Sequence, residues 1–276
     1  MKRVAVSIMY DGTRYHGFQR QRELSTVESA ILPVLRSCSP PEGLDYSYSS
    51  RTDRDVSSFW QTLTFLVRDD CDVEDLLARL QRPEEGIGVW GFREVDLEFH
   101  ARYWALWRDY VFVDRTENYK CDRFEELNAI LKNVLSIRVH DFLYKDYKRR
   151  LGSLSLERRI LRVQVFPVGE HIILWVRGES FPTHYVRRLA DFLRKYECGR
   201  GFKTHIGSWK PGAAEGWRLF LTGVRYPVSM KRLLSPVELV KRVFKQTKIG
   251  SFELQLLSSF LSSSKRVLSP FGVLSW

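Results

Sequence analysis

The order in which apolar periods follow one another constrains this chain more than any single motif. Val4 to Met9 alternates as a strand and closes on Asp11-Gly12, a turn signal. Thr26 stands where an N-cap belongs, before a helix over Val27 to Ser37. Ala30, Ile31, Val34 and Leu35 give that helix its apolar period, and Pro33 marks a kink or a boundary. Leu44 to Tyr48 and Phe59 to Val67 read as strands, Asp72 caps a helix over Val73 to Leu80, and Gly86 to Val95 is a further strand. Strand, helix, strand, strand, helix, strand is the plan of an α+β layer with helices packed on one sheet. The second half repeats that outline: a strand in Ala105 to Arg115, a helix over Glu125 to Leu135, and a strand pair at Arg159 to Pro167 and His171 to Arg177. A helix within Ser180 to Tyr196 and a closing strand over Trp217 to Tyr226 complete it. The duplication is architectural, with no residue-level repeat. The expected division is residues 1–104, 105–230 and a C-terminal extension, 231–276.

Charge narrows the partners. The 276 residues carry a formal net charge of +11, which suits nucleic acid or an anionic membrane face. Aromatic residues, 13% of the chain, offer stacking surface for bases. The extension from Lys231 to Trp276 holds eight Lys or Arg against two Glu, more than half of the whole excess. Its segments Pro236 to Lys245 and Gly250 to Leu261 read as helices, the first basic and amphipathic, able to bind RNA or present a solvated face. No apolar run approaches membrane-spanning length, so a soluble cytoplasmic protein is expected. Cys38, Cys71, Cys121 and Cys198 form no C-x-x-C pair and no zinc pattern; they read as buried or incidental thiols in a reducing cytosol.

The stretch Ser49 to Val56 carries the chemistry. It puts Asp53 on a short connection between two strands, with Arg51 two residues before it. By itself this is better read as a polar connection with a surface ion pair. Asp53-x-Asp55 could also hold Mg²⁺ or Mn²⁺, though no phosphate-binding glycine loop accompanies it. Tyr15 to Gln21 mixes aromatics, amides and arginine, a composition suited to RNA; Phe18 reads as a core plug. The histidines are scattered, and none is assigned to catalysis.

An ordered set of segments resembles the TruA-type tRNA pseudouridine synthases. Tyr10 to Gln21 matches the opening pattern Y-D-G-T-x-Y-x-G-[WF]-Q-x-Q at every fixed position, and Thr26-Val27-Glu28 is similar to the T-V-E of the first helix. Arg51-Thr52-Asp53 falls where the family carries R-T-D. Phe99 to Arg102 resembles F-H-A-R, Arg108 to Tyr110 R-x-Y, and His140-Asp141-Phe142 H-[ND]-F. Ser180-Phe181 with His184 to Arg188 is similar to S-F-x-x-H-M-V-R-R, and Glu215 to Pro227 to the last motif. Where the family reads G-R-T-D-x-G-V-H-A, this chain has Ser50, Asp55, Ser57 and Ser58 in place of the two glycines, the histidine and the alanine.

The resemblance implies two RRM-like α/β halves sharing a central, mostly antiparallel sheet with an RNA cleft between them. It implies isomerisation of uridine to pseudouridine in tRNA, by family default on the 3′ side of the anticodon stem-loop. Neither metal nor organic cofactor is required, and homodimers are the family habit. Residue by residue, Asp53 carries over as the catalytic carboxylate, Arg187 as its cationic partner, and Tyr110 as the surface on which the detached uracil stacks. Arg51, Arg14, Gln19, Arg20, Gln21, Arg102 and Arg188 carry over as RNA contacts. The other reading of the same motifs is a catalytically inactive tRNA-binding paralogue on the same fold.

Overall fold

The computed structural model describes residues 1–135, 159–262, 267–269 and 272–274. His140, Asp141 and Phe142 lie outside the described residues. The fold is mixed α/β with mostly antiparallel strands, the class that the order of periods predicts. It divides into two units, one comprising Met1–Leu106 with Phe220–Trp276 and the other Trp107–Leu219.

In the first unit β1 (Lys2–Tyr10) is central. It pairs antiparallel with β3 (Ser57–Val67) on one side, Val6 opposite Leu63, and with β4 (Ile87–Val95) on the other, Val6 opposite Phe92. The short β2 (Tyr46–Tyr48) extends the sheet beyond β3. Period two on the strands meets period 3.6 on the helices: Val4, Val6, Ile8, Leu63 and Phe65 form one core cluster with Ile31 and Leu35 of α1 (Val27–Ser37) and Leu76 and Leu80 of α2 (Val73–Leu80). Each cap sits where the sequence puts it. Thr26 Oγ1 accepts from the Ser29 amide at 3.2 Å, and Asp72 Oδ1 accepts from the Glu74 and Asp75 amides at 2.9 and 3.1 Å. Helix α1 runs through Pro33, which deletes one intrahelical hydrogen bond without ending the helix. Between Ile8 and Tyr10 the β1–β3 register slips, Ile8 facing Gln61 and Tyr10 facing Ser58. The bulge re-aims the start of β3, which is the end that carries the Asp53 loop.

The second unit holds the antiparallel sheet β6 (Ile160–Val168), β7 (His171–Gly178) and β5 (Trp107–Arg115), in that order. Helix α3 (Phe124–Leu135) meets β6 through Asn128, whose Nδ2 donates to the Val165 carbonyl at 2.7 Å and whose Oδ1 accepts from the Val165 amide at 2.9 Å. The helix expected within Ser180 to Tyr196 is shorter, α4 (Tyr185–Arg194), because His184 at φ 61° cannot continue a right-handed helix. A further helix, α5 (Phe202–Ser208), was not read from the sequence. Buried Asp114 takes Arg194 Nε at 2.6 Å and Arg218 Nη1 at 2.9 Å, an anion with two guanidinium partners.

The closing strand, β8 (Leu219–Arg225), runs parallel to the start of β3 with Ser57 opposite Phe220. The described residues of 231–276, the segment expected as an extension, group with the first unit. There β9 (Lys231–Arg232) pairs with β4, and α6 (Pro236–Val243) lays Leu239 and Val243 over Gly88, where a side chain would have no room. Phe244 stacks on Phe59 at 5.1 Å. Helix α7 (Ser251–Ser262) and the small hairpin of β10 (Val267–Ser269) and β11 (Gly272–Leu274) follow. Among the described residues no helix is long and apolar enough to cross a membrane.

The expectation of free thiols is corrected. Cys38 is bonded to Cys71 and Cys121 to Cys198. Sequence separations of 33 and 77 leave no local pattern, so only the tertiary fold brings the pairs together. Cys38 is the C-cap of α1 and Cys71 immediately precedes the N-cap of α2. Cys121 precedes α3 and Cys198 follows α4. Each unit is therefore cross-linked once, between ends of α1 and α2 in the first and of α3 and α4 in the second.

Candidate active site

The N-terminal motif and the Asp53 loop are built as one structure. The Phe18 amide donates to the Thr52 carbonyl at 3.1 Å, the Asp55 amide to the Tyr15 carbonyl at 3.4 Å, and the Gly12 amide to Ser57 Oγ at 2.9 Å. The Tyr10 hydroxyl meets Thr52 Oγ1 at 2.7 Å. The approach is close enough to dictate sequence. A Cβ on Gly12 would fall 2.1 Å from the Val56 carbonyl oxygen, and one on Gly17, at φ 94°, 3.0 Å from the Thr52 carbonyl oxygen. Thr52 is buried beneath this strap, and Asp53 stands half-buried at the tip, its carbonyl accepting from the Val56 amide at 3.2 Å.

Two of the four family departures, at positions 55 and 57, have defined structural roles. Asp55 holds φ 65°, the left-handed conformation that favours the glycine of the family pattern, and among other residues Asp and Asn tolerate it best. Ser57, in place of histidine, supplies the acceptor for the Gly12 amide.

Sequence reasoning missed Gln61. It lies wholly buried on β3, and its carboxamide holds both polar groups of one residue of the loop. Oε1 accepts from the Ser50 amide at 3.0 Å and Nε2 donates to the Ser50 carbonyl at 2.6 Å; Oε1 also accepts from the Ser49 hydroxyl. Nε2 reaches the Tyr10 hydroxyl at 3.4 Å as well. Gln61 thus fixes the backbone just before Arg51-Thr52-Asp53. A signal was available, since Gln61 shares the strand parity of Leu63 and Phe65, and a polar group at a core-facing position must find partners.

The residues read as RNA contacts are placed as follows. Arg51, Gln19, Arg20, Gln21 and Arg102 are exposed, and Arg14 is half-buried. Arg14 Nη1 donates to the Glu84 carbonyl at 2.6 Å and its Nε lies 3.5 Å from Asp11. Gln21 Nε2 donates to the His16 carbonyl at 2.6 Å, and the Arg20 amide donates to Glu28. The Tyr15 hydroxyl donates to the Glu85 carbonyl at 2.6 Å; burial, then the Glu85 carboxylate, push its pKa up to about 12, so it remains a donor. Phe18 is fully buried, as expected of a core plug.

Tyr110, Arg187 and Arg188 belong to the second unit. Tyr110 is buried on β5 with Phe181 edge-on to its ring at 5.2 Å and 87°, a contact that Gly178 leaves room for. Arg187 is half-buried on α4 and locked to one segment from both ends. Its Nε donates to the Ala214 carbonyl at 2.5 Å, and its own carbonyl accepts from the Ala214 amide at 3.0 Å. Arg188 is also half-buried. Among the described residues one group of three metal-ligating side chains lies close enough to share an ion. It comprises Cys121, Glu126 and Cys198, and its cysteines are joined to each other.

No family model matches the chain. It is similar along most of its length to proteins named tRNA pseudouridine synthase A. That of Pyrococcus abyssi is 29% identical over 266 residues, 91% of this chain and 96% of its own. That of Thermococcus sibiricus is 32% identical over 206 residues, 72% of each chain, and that of Methanosarcina barkeri 32% identical over 197 residues, 69% of each. The chain belongs to the tRNA pseudouridine synthase A, or TruA, family.

Proposed function

We propose that this protein isomerises uridine to pseudouridine in tRNA, with Asp53 as the carboxylate that acts on the reacting nucleotide. The observation that carries this reading is the strapped loop. A half-buried aspartate stands at the tip of a connection whose flanks are hydrogen-bonded to the Tyr10–Phe18 motif and to Gln61. Such a loop holds the backbone that carries the carboxylate in one place, as attack at a ribose or uracil carbon demands. The glycosidic C–N bond to N1 breaks, the uracil rotates, a C–C bond forms at C5, the C5 proton leaves, and N1 takes up a proton in its place. Atoms and electrons balance within the nucleotide, so no metal or organic cofactor enters.

Tyr110 supplies the aromatic surface for the detached uracil and is the candidate to take the C5 proton. Arg187 is the candidate cationic residue of the reaction by its place in the family pattern. Arg51, Arg14, Gln19, Arg20, Gln21, Arg102 and Arg188 hold the RNA, and the uridine must leave its stack to reach Asp53. The finer reading is a uridine on the 3′ side of the anticodon stem-loop, modified in the cytoplasm by a homodimer.

The test is to map pseudouridine in unmodified tRNA before and after exposure to pure protein. Wild type introduces it, with or without EDTA. Asp53→Asn falls to background while binding tRNA like wild type. A folded Asp53→Asn protein that still makes pseudouridine at an appreciable rate refutes the assignment.

A further inference from the structure

The loop that carries Phe99-His100-Ala101-Arg102 ends in an aromatic side chain turned to solvent. Tyr103 is 77% exposed, the most exposed large hydrophobic side chain among the described residues. An exposed tyrosine alone is ordinary, but this one is held. The His100 ring stacks on it at 4.2 Å and 30°. His100 is itself fixed, because its Nδ1 accepts from the amides of Arg102 at 3.2 Å and Tyr103 at 3.4 Å. Burial, then the nearby Arg3 guanidinium, hold the His100 pKa below its usual 6.5, which keeps Nδ1 an acceptor at neutral pH.

The loop beneath is rigid. Phe99 is buried against Tyr226 at 5.3 Å, and the Tyr226 hydroxyl donates to the Ala101 carbonyl at 2.6 Å. The Ala101 amide donates to Ser47 Oγ at 3.0 Å, docking the loop on β2, the strand that feeds the Asp53 loop. Arg102, next to Tyr103 in the chain, is exposed; burial raises the pKa of the Tyr48 phenol in that strand, and the Arg51 and Arg102 guanidinium groups both act to lower it.

A pinned, exposed aromatic beside an exposed guanidinium group fits an unpaired base whose phosphate the arginine can reach. We propose that Tyr103, backed by His100, is a stacking platform for an unpaired base of the RNA whose uridine reaches Asp53. This deepens the functional reading above and rests on it. The ring pair lowers the cost of binding because its orientation is set before the RNA arrives.

The experiment measures the Kd of an unmodified tRNA transcript across a salt series for wild type, Tyr103→Ala, Tyr103→Phe and Arg102→Ala, with the oligomeric state of each followed by sedimentation velocity. Stacking of one base predicts that Tyr103→Ala binds about 5- to 100-fold more weakly with an unchanged salt slope, and that Tyr103→Phe restores wild-type affinity. Arg102→Ala lowers the salt slope by about one, as loss of a phosphate contact should. The proposal is overturned if Tyr103→Ala binds like wild type, if Tyr103→Phe fails to restore affinity, or if Tyr103→Ala changes the oligomeric state instead. Pseudouridine formation by wild type is scored on the same RNA. An active wild type with an unaffected Tyr103→Ala sinks the platform alone, and an inactive wild type sinks the functional reading.

Discussion

Removing one cross-link should show how much of the stability depends on covalent bonds. Cys38–Cys71 spans a sequence separation of 33 and Cys121–Cys198 one of 77. The loop-closure relation gives about 3.7 kcal/mol for the first and about 4.5 kcal/mol for the second at 25 °C, through restriction of the unfolded chain. In a chain of this size about 1 kcal/mol moves Tm by about 2–4 °C, so Cys38→Ala with Cys71→Ala should melt about 7–15 °C below wild type. The assay has two parts. Protein alkylated at lysis and unfolded without reductant should expose no reactive thiol, and four after reduction. Thermal melts of the double variant then give the shift, and a reductant should lower wild type toward the variant. Four alkylatable thiols in the unreduced protein, or a double variant melting within a degree or two of wild type, would refute the reasoning.

Further outcomes test particular contacts. Gly88→Ala places a methyl 2.7–2.8 Å from Leu239 and Val243, so urea denaturation should register a loss of about 1–3 kcal/mol as α6 is pushed from the sheet. Gln61→Leu strands the Ser50 amide and carbonyl; kcat for pseudouridine formation should fall at least about tenfold while KM changes little, because the loss is in Asp53 placement rather than RNA contact. Asp55→Gly should hold stability within about 1 kcal/mol, whereas Asp55→Val should lose about 1–2 kcal/mol, because a β-branched residue resists φ 65°. His100 and His205 both have pKa values lowered from 6.5, each first by burial, so the folded state binds fewer protons than the unfolded one. Their stabilising effect is full above pH 6.5 and lost as pH falls through the folded values, and chemical melts at pH 7.5 and 5.5 should differ in that direction.

What was legible in the sequence was what local chemistry decides. Thr26 and Asp72 cap the helices that they were expected to cap, and both helices have the expected bounds, because a side-chain oxygen two or three residues from an amide acts within one turn. Helix α5 escaped because nothing local supports it. Its cap residue Gly201 makes no side-chain bond, and its hold on the fold comes from His205, whose Nε2 lies 3.0 Å from the Phe192 carbonyl and whose ring packs on Phe192 and Tyr196. The cysteine pairs escaped for the same reason at longer range.

The site shows the same division. Asp53 was picked out by family resemblance, since R-T-D on a loop is weak chemistry by itself. The segment from Tyr15 to Gln21 reads as a surface for RNA, and the backbone of its Tyr15 to Phe18 part, with the turn at Gly12, forms the strap that holds the Asp53 loop, a role written in Gly12 and Gly17 rather than in its amides and arginines. That strap also accounts for the departures at positions 55 and 57. The loop needs a residue that tolerates left-handed φ at one and an acceptor for the Gly12 amide at the other, and Asp55 and Ser57 supply both. Glycine and histidine are therefore one solution to a backbone requirement rather than the requirement itself. Asp53 keeps a fixed position because the bonds that hold its flanks run to Thr52, Ser50 and Ser57, and none of them depends on the side chain at 55.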